Sequence, residues 1–311
     1  MAGQEDLIVI TGPTCSGKTG LVLRLALDHP IEVISADSMQ VYRHMDIATA
    51  KPTARDLSIA VHHIIDVVNP DQEFQAAMFV SMAREKIAEV RARGGIPVVV
   101  GGTGLYIKAL VHGLAPAPGR SEEIRKVLRN LIARRGMDHL ERMLLRLDPE
   151  AAEGIRKNDA IRTVRSLEII LLSGQKASAI LAGHGFRQRR YEALTACIMP
   201  DRERLFPDID RRTARMVDDG LLEETARILS LGYGPELRSM QTLAYKHVIS
   251  HFRSAIDLDE CIRLIQRDTR RFAKRQITWM KGRPDQTFFP SADTAYETVS
   301  MWLERTGRKW V

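Results

Sequence analysis

Two kinds of apolar run alternate along the chain. Leu7-Ile8-Val9-Ile10 and Ile96-Pro97-Val98-Val99-Val100 are short, unbroken and mostly β-branched, so they read as strands buried on both faces. Ile31-Glu32-Val33-Ile34-Ser35 reads as another, and residues 194–199 as a returning strand. Between them apolar residues recur at helical spacing. Leu21, Val22, Leu25 and Ala26 make one such stripe, and residues 76–93 make a helix closed by Gly94-Gly95. Strand and helix in alternation predict an α/β fold whose parallel sheet is flanked by helices.

The pattern changes after Gly113. Pro116, Pro118 and Gly119 make a linker, and Ser121 with Glu122 and Glu123 marks a helix start. Three helical stripes follow: Ile124, Val127, Leu128, Leu131 and Ile132; then Leu140, Met143, Leu144 and Leu147; then Ile161, Val164, Leu167 and Leu171, stopped by Gly174. This is the signature of an inserted all-helical domain, ending in the basic cluster Arg187-Gln188-Arg189-Arg190. The expected division is a first part of the core at 1–114, the insertion at 115–192, and the rest of the core with basic C-terminal helices at 193–311.

The candidate chemistry lies where the strands end. Gly12-Pro13-Thr14-Cys15-Ser16-Gly17-Lys18-Thr19 follows the first strand and opens a helix, which is a P-loop: backbone N–H groups and a helix N-terminus converge on phosphate oxygens, Lys18 adds charge, and Thr19 can hold Mg²⁺. Asp37 follows the second strand. A carboxylate there can take a proton from a nucleophile, hold Mg²⁺ through water, or cap a turn. The strand at 96–100 ends in Gly101-Gly102-Thr103-Gly104, without the acid that many nucleotide hydrolases use for Mg²⁺. Thr103 reads either as a turn threonine or as a donor to a phosphate oxygen or to Asp37. His62-His63 lacks further ligands at metal spacing and reads as packing or a loop hydrogen bond.

Charge adds one element to the picture. The formal net charge is +7 over 311 residues. Arg263, Arg267, Arg270, Arg271, Lys274, Arg275, Lys281 and Arg283 lie in one stretch whose only acid is Asp268. Either this is a solvated face or it is a track for a phosphate backbone. Cys15, Cys197 and Cys261 are too far apart for a zinc module or a disulfide framework. The acidic start of the chain and the lack of a membrane-length apolar run predict a cytoplasmic protein.

Taken together, several stretches resemble one family, the tRNA dimethylallyltransferases (tRNA isopentenyltransferases). The resemblance rests on the P-loop, then Ala36-Asp37-Ser38-Met39-Gln40-Val41-Tyr42-Arg43, Met45-Asp46-Ile47-Ala48-Thr49-Ala50-Lys51-Pro52 and His62-His63-Ile64-Ile65-Asp66. It continues through Gly101-Gly102-Thr103-Gly104-Leu105-Tyr106, Asn158-Asp159 with Arg162, Arg165 and Glu168, and Lys274-Arg275-Gln276-Ile277-Thr278-Trp279. The P-loop alone is generic; the ordered set, spanning nearly the whole chain, is specific.

The resemblance implies a P-loop NTPase-like core with a helical insertion that helps clamp the tRNA anticodon stem-loop. It implies transfer of a dimethylallyl group from dimethylallyl diphosphate to N6 of the adenosine 3′ to the anticodon, with diphosphate released. Asp37 is then the general base, with Thr103 beside the reacting centre. Gly12, Pro13, Thr14, Cys15, Ser16, Gly17, Lys18, Thr19 and Arg212 hold the diphosphate, and Thr19 holds Mg²⁺. Expected tRNA contacts are Asp37, Ser38, Met39, Gln40, Thr103, Arg125, Ile161, Arg162, Thr163, Val164, Arg165, Arg271 and Lys274.

Departures from the family pattern are Cys15 for a usual Ala, Ala48 for Gly, Ile161 for Gln, Asp208 for Arg, and Leu243-Ala244 before Tyr245-Lys246. The nearest alternatives are an adenylate isopentenyltransferase and a P-loop kinase acting on a small metabolite. The expectation is a monomeric, bacterial-type enzyme without ATP hydrolysis.

Overall fold

The computed structural model describes residues 5–184 and 190–307, so Arg187, Gln188 and Arg189 of the basic cluster lie outside the described residues. The chain forms two compact units, one from residues 1–111 and 190–311 and one from residues 112–189. The first unit opens with β1 (Glu5–Thr11), α1 (Lys18–Asp28), β2 (Ile31–Ser35), α2 (Ala54–Ile59), β3 (His62–His63), α3 (Ala76–Ala92), β4 (Ile96–Gly101) and α4 (Gly104–His112). The second unit holds α5 (Glu122–Arg135), α6 (Met137–Leu147), α7 (Pro149–Glu153), α8 (Ala160–Ser173) and α9 (Ala177–His184). The first unit resumes with β5 (Tyr191–Ile198), α10 (Arg202–Asp218), α11 (Leu221–Ser230), α12 (Tyr245–Phe252), α13 (Leu258–Lys281), β6 (Thr287–Phe289) and α14 (Ala292–Gly307).

Among the described residues the strands form one parallel sheet in the order β3-β2-β4-β1-β5-β6. The apolar runs explain its centre. Ile8, Ile10, Val33, Val98 and Ala196 pack with Leu21, Val22 and Leu25 of α1 and Val299 and Leu303 of α14 in one core. The chain leaves β1 toward β2 on one side, and β5 lies on the other side of β1. That reversal opens a crevice at the carboxyl ends of β1 and β4, where α/β sheets bind ligands. The short strands β3 and β6 extend the sheet beyond what the apolar runs predicted.

In the helical unit the caps are those the sequence calls for. Ser121 Oγ accepts from Ile124 N at 3.3 Å, Asp159 Oδ1 accepts from Arg162 N at 3.1 Å, and Gly174 takes the left-handed conformation after α8. Leu128, Leu140, Leu144 and Leu167 form the core. The expected stripes were partly misassigned. Ile161 is 84% exposed, and Val127, Leu147 and Leu171 also face outward. On α8 the buried face includes Thr163, Ser166 and Glu168, so counting apolar residues alone rotated the predicted face. Among the described residues no helix is long and apolar enough to cross a membrane.

Candidate active site

A cavity of about 760 Å³ opens at the crevice within the first unit, lined by the loops after β1, β2 and β4 and by α10 and α13. The P-loop forms one wall. Lys18 folds back on that loop, its Nζ donating to Gly12 O at 2.9 Å, Pro13 O at 2.6 Å and Ser16 Oγ at 3.4 Å. Burial pushes its ammonium down to about 8; the nearby Asp37 charge opposes that shift and the Arg212 charge adds to it. Arg212 reaches in from α10, its Nη1 donating to Thr14 Oγ1 at 3.0 Å and to Cys15 Sγ at 3.6 Å. Thus Lys18 and Arg212 place two cations at one loop, as an anionic ligand requires. Cys15 itself has φ 61°, a conformation unusual for a residue with a side chain.

Asp37 and Thr103 form the facing wall. Gly101 ends β4 so close to β2 that an added Cβ would lie 2.2 Å from Ala36 O, and only glycine permits that approach. It brings Thr103 to the segment after β2: Thr103 N donates to Ala36 O at 3.2 Å, and Thr103 Oγ1 accepts from Ser38 N at 3.0 Å. Thr103 Oγ1 thus holds the backbone of the residue after Asp37, as a turn threonine does, and that bond leaves its O–H donor unused. Asp37 Oδ1 accepts from Met39 N at 2.8 Å and Gln40 N at 3.4 Å. The turn-capping role and an open carboxylate thus coexist, one on each oxygen. Ser38, Met39, Gln40 and Thr19 line the same cavity.

Other expected contacts are placed differently. Arg125 donates through Nε and Nη2 to Glu168 at 2.7 and 2.9 Å, and Arg165 donates to Glu168 Oε2 at 2.5 Å and to Pro118 O at 2.7 Å. Glu168 is fully buried; burial would raise its carboxyl, but these guanidinium bonds and the Ser121 N–H outweigh it and hold it at about 2. Arg125 and Arg165 therefore brace the helical unit. Thr163 is 1% exposed, so its side chain faces inward rather than toward a ligand. Arg162 keeps a 67% exposed side chain near Asp159, and Val164 packs against the helical core.

On α13 the basic stretch is also divided. Arg270 pairs with Asp210 at 2.5 Å and Arg263 with Glu260, while Lys246, Arg267 and Arg271 gather on Asp268. Arg271 stays 62% exposed, and Lys274 is exposed too, its Nζ 5.5 Å from the centre of the Phe206 ring. His62 and His63 make hydrogen bonds, to Ala60 O at 2.8 Å and to Glu32 at 2.7 Å.

Two residues had no role in the sequence reading. Gln276 bonds both the P-loop and the loop after β4. Glu224 accepts from the backbone N–H groups of Asp46, Ile47 and Ala48 and from Tyr245 Oη at 2.7 Å, fixing the segment before Lys51. A glutamate in the first turn of an amphipathic helix gives no local sign of being buried.

The chain is similar to known proteins of one family. An IPP transferase family model matches residues 40–283 and an Isopentenyl transferase model matches residues 5–68. A tRNA dimethylallyltransferase 1 of Syntrophotalea carbinolica is 44% identical over 89% of this chain and 88% of its own. A tRNA dimethylallyltransferase of Geobacter sulfurreducens is 41% identical over 96% of each. The crystal structure of a tRNA isopentenylpyrophosphate transferase from Bacillus halodurans aligns with TM-score 0.72 at 34% identity, covering 99% of this chain and 98% of that one. A eukaryotic dimethylallyltransferase acting on tRNA aligns with TM-score 0.78 at 27% identity, over 93% of this chain and 74% of its own.

Proposed function

Because the chain belongs to the IPP transferase family, whose relatives at 40–44% identity are tRNA dimethylallyltransferases, we propose a complete reaction for its cavity. The enzyme transfers a dimethylallyl group to tRNA. The donor is dimethylallyl diphosphate and the acceptor is N6 of the adenosine 3′ to the anticodon. The observation that carries this reading is one cavity with a cationic phosphate loop on one wall and an open carboxylate on the other.

An adenine amine is a weak nucleophile because its lone pair is delocalised into the ring. It becomes competent as its proton leaves. Asp37 takes that proton on the oxygen not held by Met39 and Gln40. The N6–C bond forms as the allylic C–O bond breaks, and the diphosphate departs with the bonding pair. The free P-loop N–H groups, Lys18 and Arg212 stabilise the charge gathering there. Thr103, fixed by Ser38 N, directs its hydroxyl proton to an oxygen of the substrate. The adenine must leave its stack to enter, which costs a few kcal/mol, least in a single-stranded loop.

Thr19 lies exposed in the first turn of α1 and lines the cavity with Asp37, a hydroxyl and a carboxylate of the hard-oxygen type Mg²⁺ takes. Bound there, Mg²⁺ would neutralise charge on the diphosphate oxygens. The exposed Arg162, Arg271 and Lys274 supply phosphate-backbone contacts to the tRNA. The enzyme works as a monomer in the cytoplasm, where its tRNA substrate is found.

The test is transfer of label from dimethylallyl diphosphate to unmodified tRNA, AMP, ADP and ATP offered in parallel. Label is expected in tRNA, on N6 of that adenosine. Asp37→Asn should lower the rate by about 10²–10⁴-fold while the tRNA dissociation constant stays as in the wild type. Label in free nucleotide alone, or near-normal turnover of the variant, would remove the acceptor or the base assignment respectively.

A further inference from the structure

We infer that Gln276 is a positioning residue for this reaction, setting the gap between the leaving-group loop and the acceptor loop. Its Oε1 accepts from Thr14 N at 2.9 Å and its Nε2 donates to Gly102 O at 3.0 Å. The residue is 9% exposed and lines the cavity. Gly102 packs directly on the carboxamide, since a Cβ there would lie 2.3 Å from Gln276 Nε2.

The chemistry of the pair selects the residue. Thr14 offers a donor and Gly102 an acceptor, so the bridging group needs one acceptor and one donor on a chain of this length. Glutamine supplies both in a single orientation. Glutamate supplies only acceptors, and methionine, of similar volume, supplies neither in useful strength.

Each end of the bridge touches a functional group. Thr14 also receives Arg212 through its hydroxyl, so Gln276 and Arg212 hold one residue from two helices, α13 and α10. Gly102 precedes Thr103, whose hydroxyl is tied to the segment carrying Asp37. The Thr14 N–H is thereby withdrawn from phosphate binding, and Ser16 N donates to Pro13 O at 3.3 Å. The N–H groups of Gly17 and Lys18 at the start of α1 are then the ones offered to the diphosphate. Thus one carboxamide fixes both the distance and the donor set across the cavity.

The inference rests on the assignment of these two loops to diphosphate and acceptor. Its test is steady-state transfer by Gln276→Met and Gln276→Glu, with dimethylallyl diphosphate varied at saturating tRNA. Losing the bridge should raise KM for the donor about tenfold and lower kcat about tenfold. Gln276→Glu should show the larger KM because it adds a negative charge beside the diphosphate. The tRNA dissociation constant should stay close to wild type, while the melting temperature falls because Thr14 N and Gly102 O each lose a buried partner.

A merely structural role would lower kcat in proportion to the folded fraction, counted by gel filtration, and leave KM unchanged. That result, or wild-type constants in both variants, overturns the proposal. If one variant does not fold, the other is read. The dissociation constant for inorganic diphosphate, taken on the folded fraction, gives a readout free of turnover. Absence of transfer by the wild-type enzyme would sink the functional reading instead, and the diphosphate measurement would still decide the role of Gln276.

Discussion

Lys18 illustrates how a single residue is tuned by its surroundings. Its ammonium is held by two carbonyls of its own loop, yet burial lowers it to about 8. Below that pH it is charged and attracts the diphosphate; above it the charge is lost. In the free enzyme kcat/KM for dimethylallyl diphosphate should therefore fall as pH rises through about 8, approaching tenfold per unit. The tRNA dissociation constant should show no break there. A pH profile of both quantities checks this, and a flat kcat/KM between pH 7 and 9.5 would set the assignment aside. Asp37 shows a related economy, since Oδ1 caps a turn and so orients the oxygen left for the proton. The motif around Asp37 was legible in the sequence. The bond from Ser38 N to Thr103 Oγ1 was not, because it depends on how closely Gly101 lets the end of β4 approach Ala36 after β2.

Elements are set partly by local rules and partly by buried polar groups. The starts of α5, α8 and α13 follow from Ser121, Asp159 and Asp257, whose side chains accept from the first-turn backbone. What faces inward on α8 follows from Glu168. Removing Arg125 would leave that buried carboxylate with a poorer set of donors, so Arg125→Ala should destabilise the helical unit by about 3 kcal/mol. The effect should depend on pH with a definite sign. Glu168 is depressed from 4.5 to about 2, so its stabilisation is complete above pH 4.5 and is lost as pH falls toward about 2. The gap in melting temperature between wild type and Arg125→Ala should shrink over that window. A gap that is constant with pH would mean that Arg125 acts by packing its stem rather than by pairing.

At the scale of the whole molecule, the net charge of +7 is distributed unevenly in its availability. Asp268, Asp210 and Glu260 engage much of the arginine stretch of α13, while Arg271 and Lys274 keep exposed heads. Replacing both by alanine should weaken tRNA binding and reduce the slope of log affinity against log salt by about 1.5–2, the contribution of two neutralised phosphates. Filter binding over a salt series measures it, and an unchanged slope would return these residues to a solvated surface. The four longer strands, the P-loop, the helical insertion and the order of the chemical motifs could be read from the chain. Apolar period, cap residues and glycine spacing are properties of neighbouring residues. Tertiary structure alone decided which distant groups meet: Arg212 with Thr14 across 198 positions, Gln276 with Thr14 across 262, and Glu224 with Asp46 across 178. No local pattern encodes such pairs, because each is selected only when the sheet order brings the loops to one edge and a buried donor must find an acceptor.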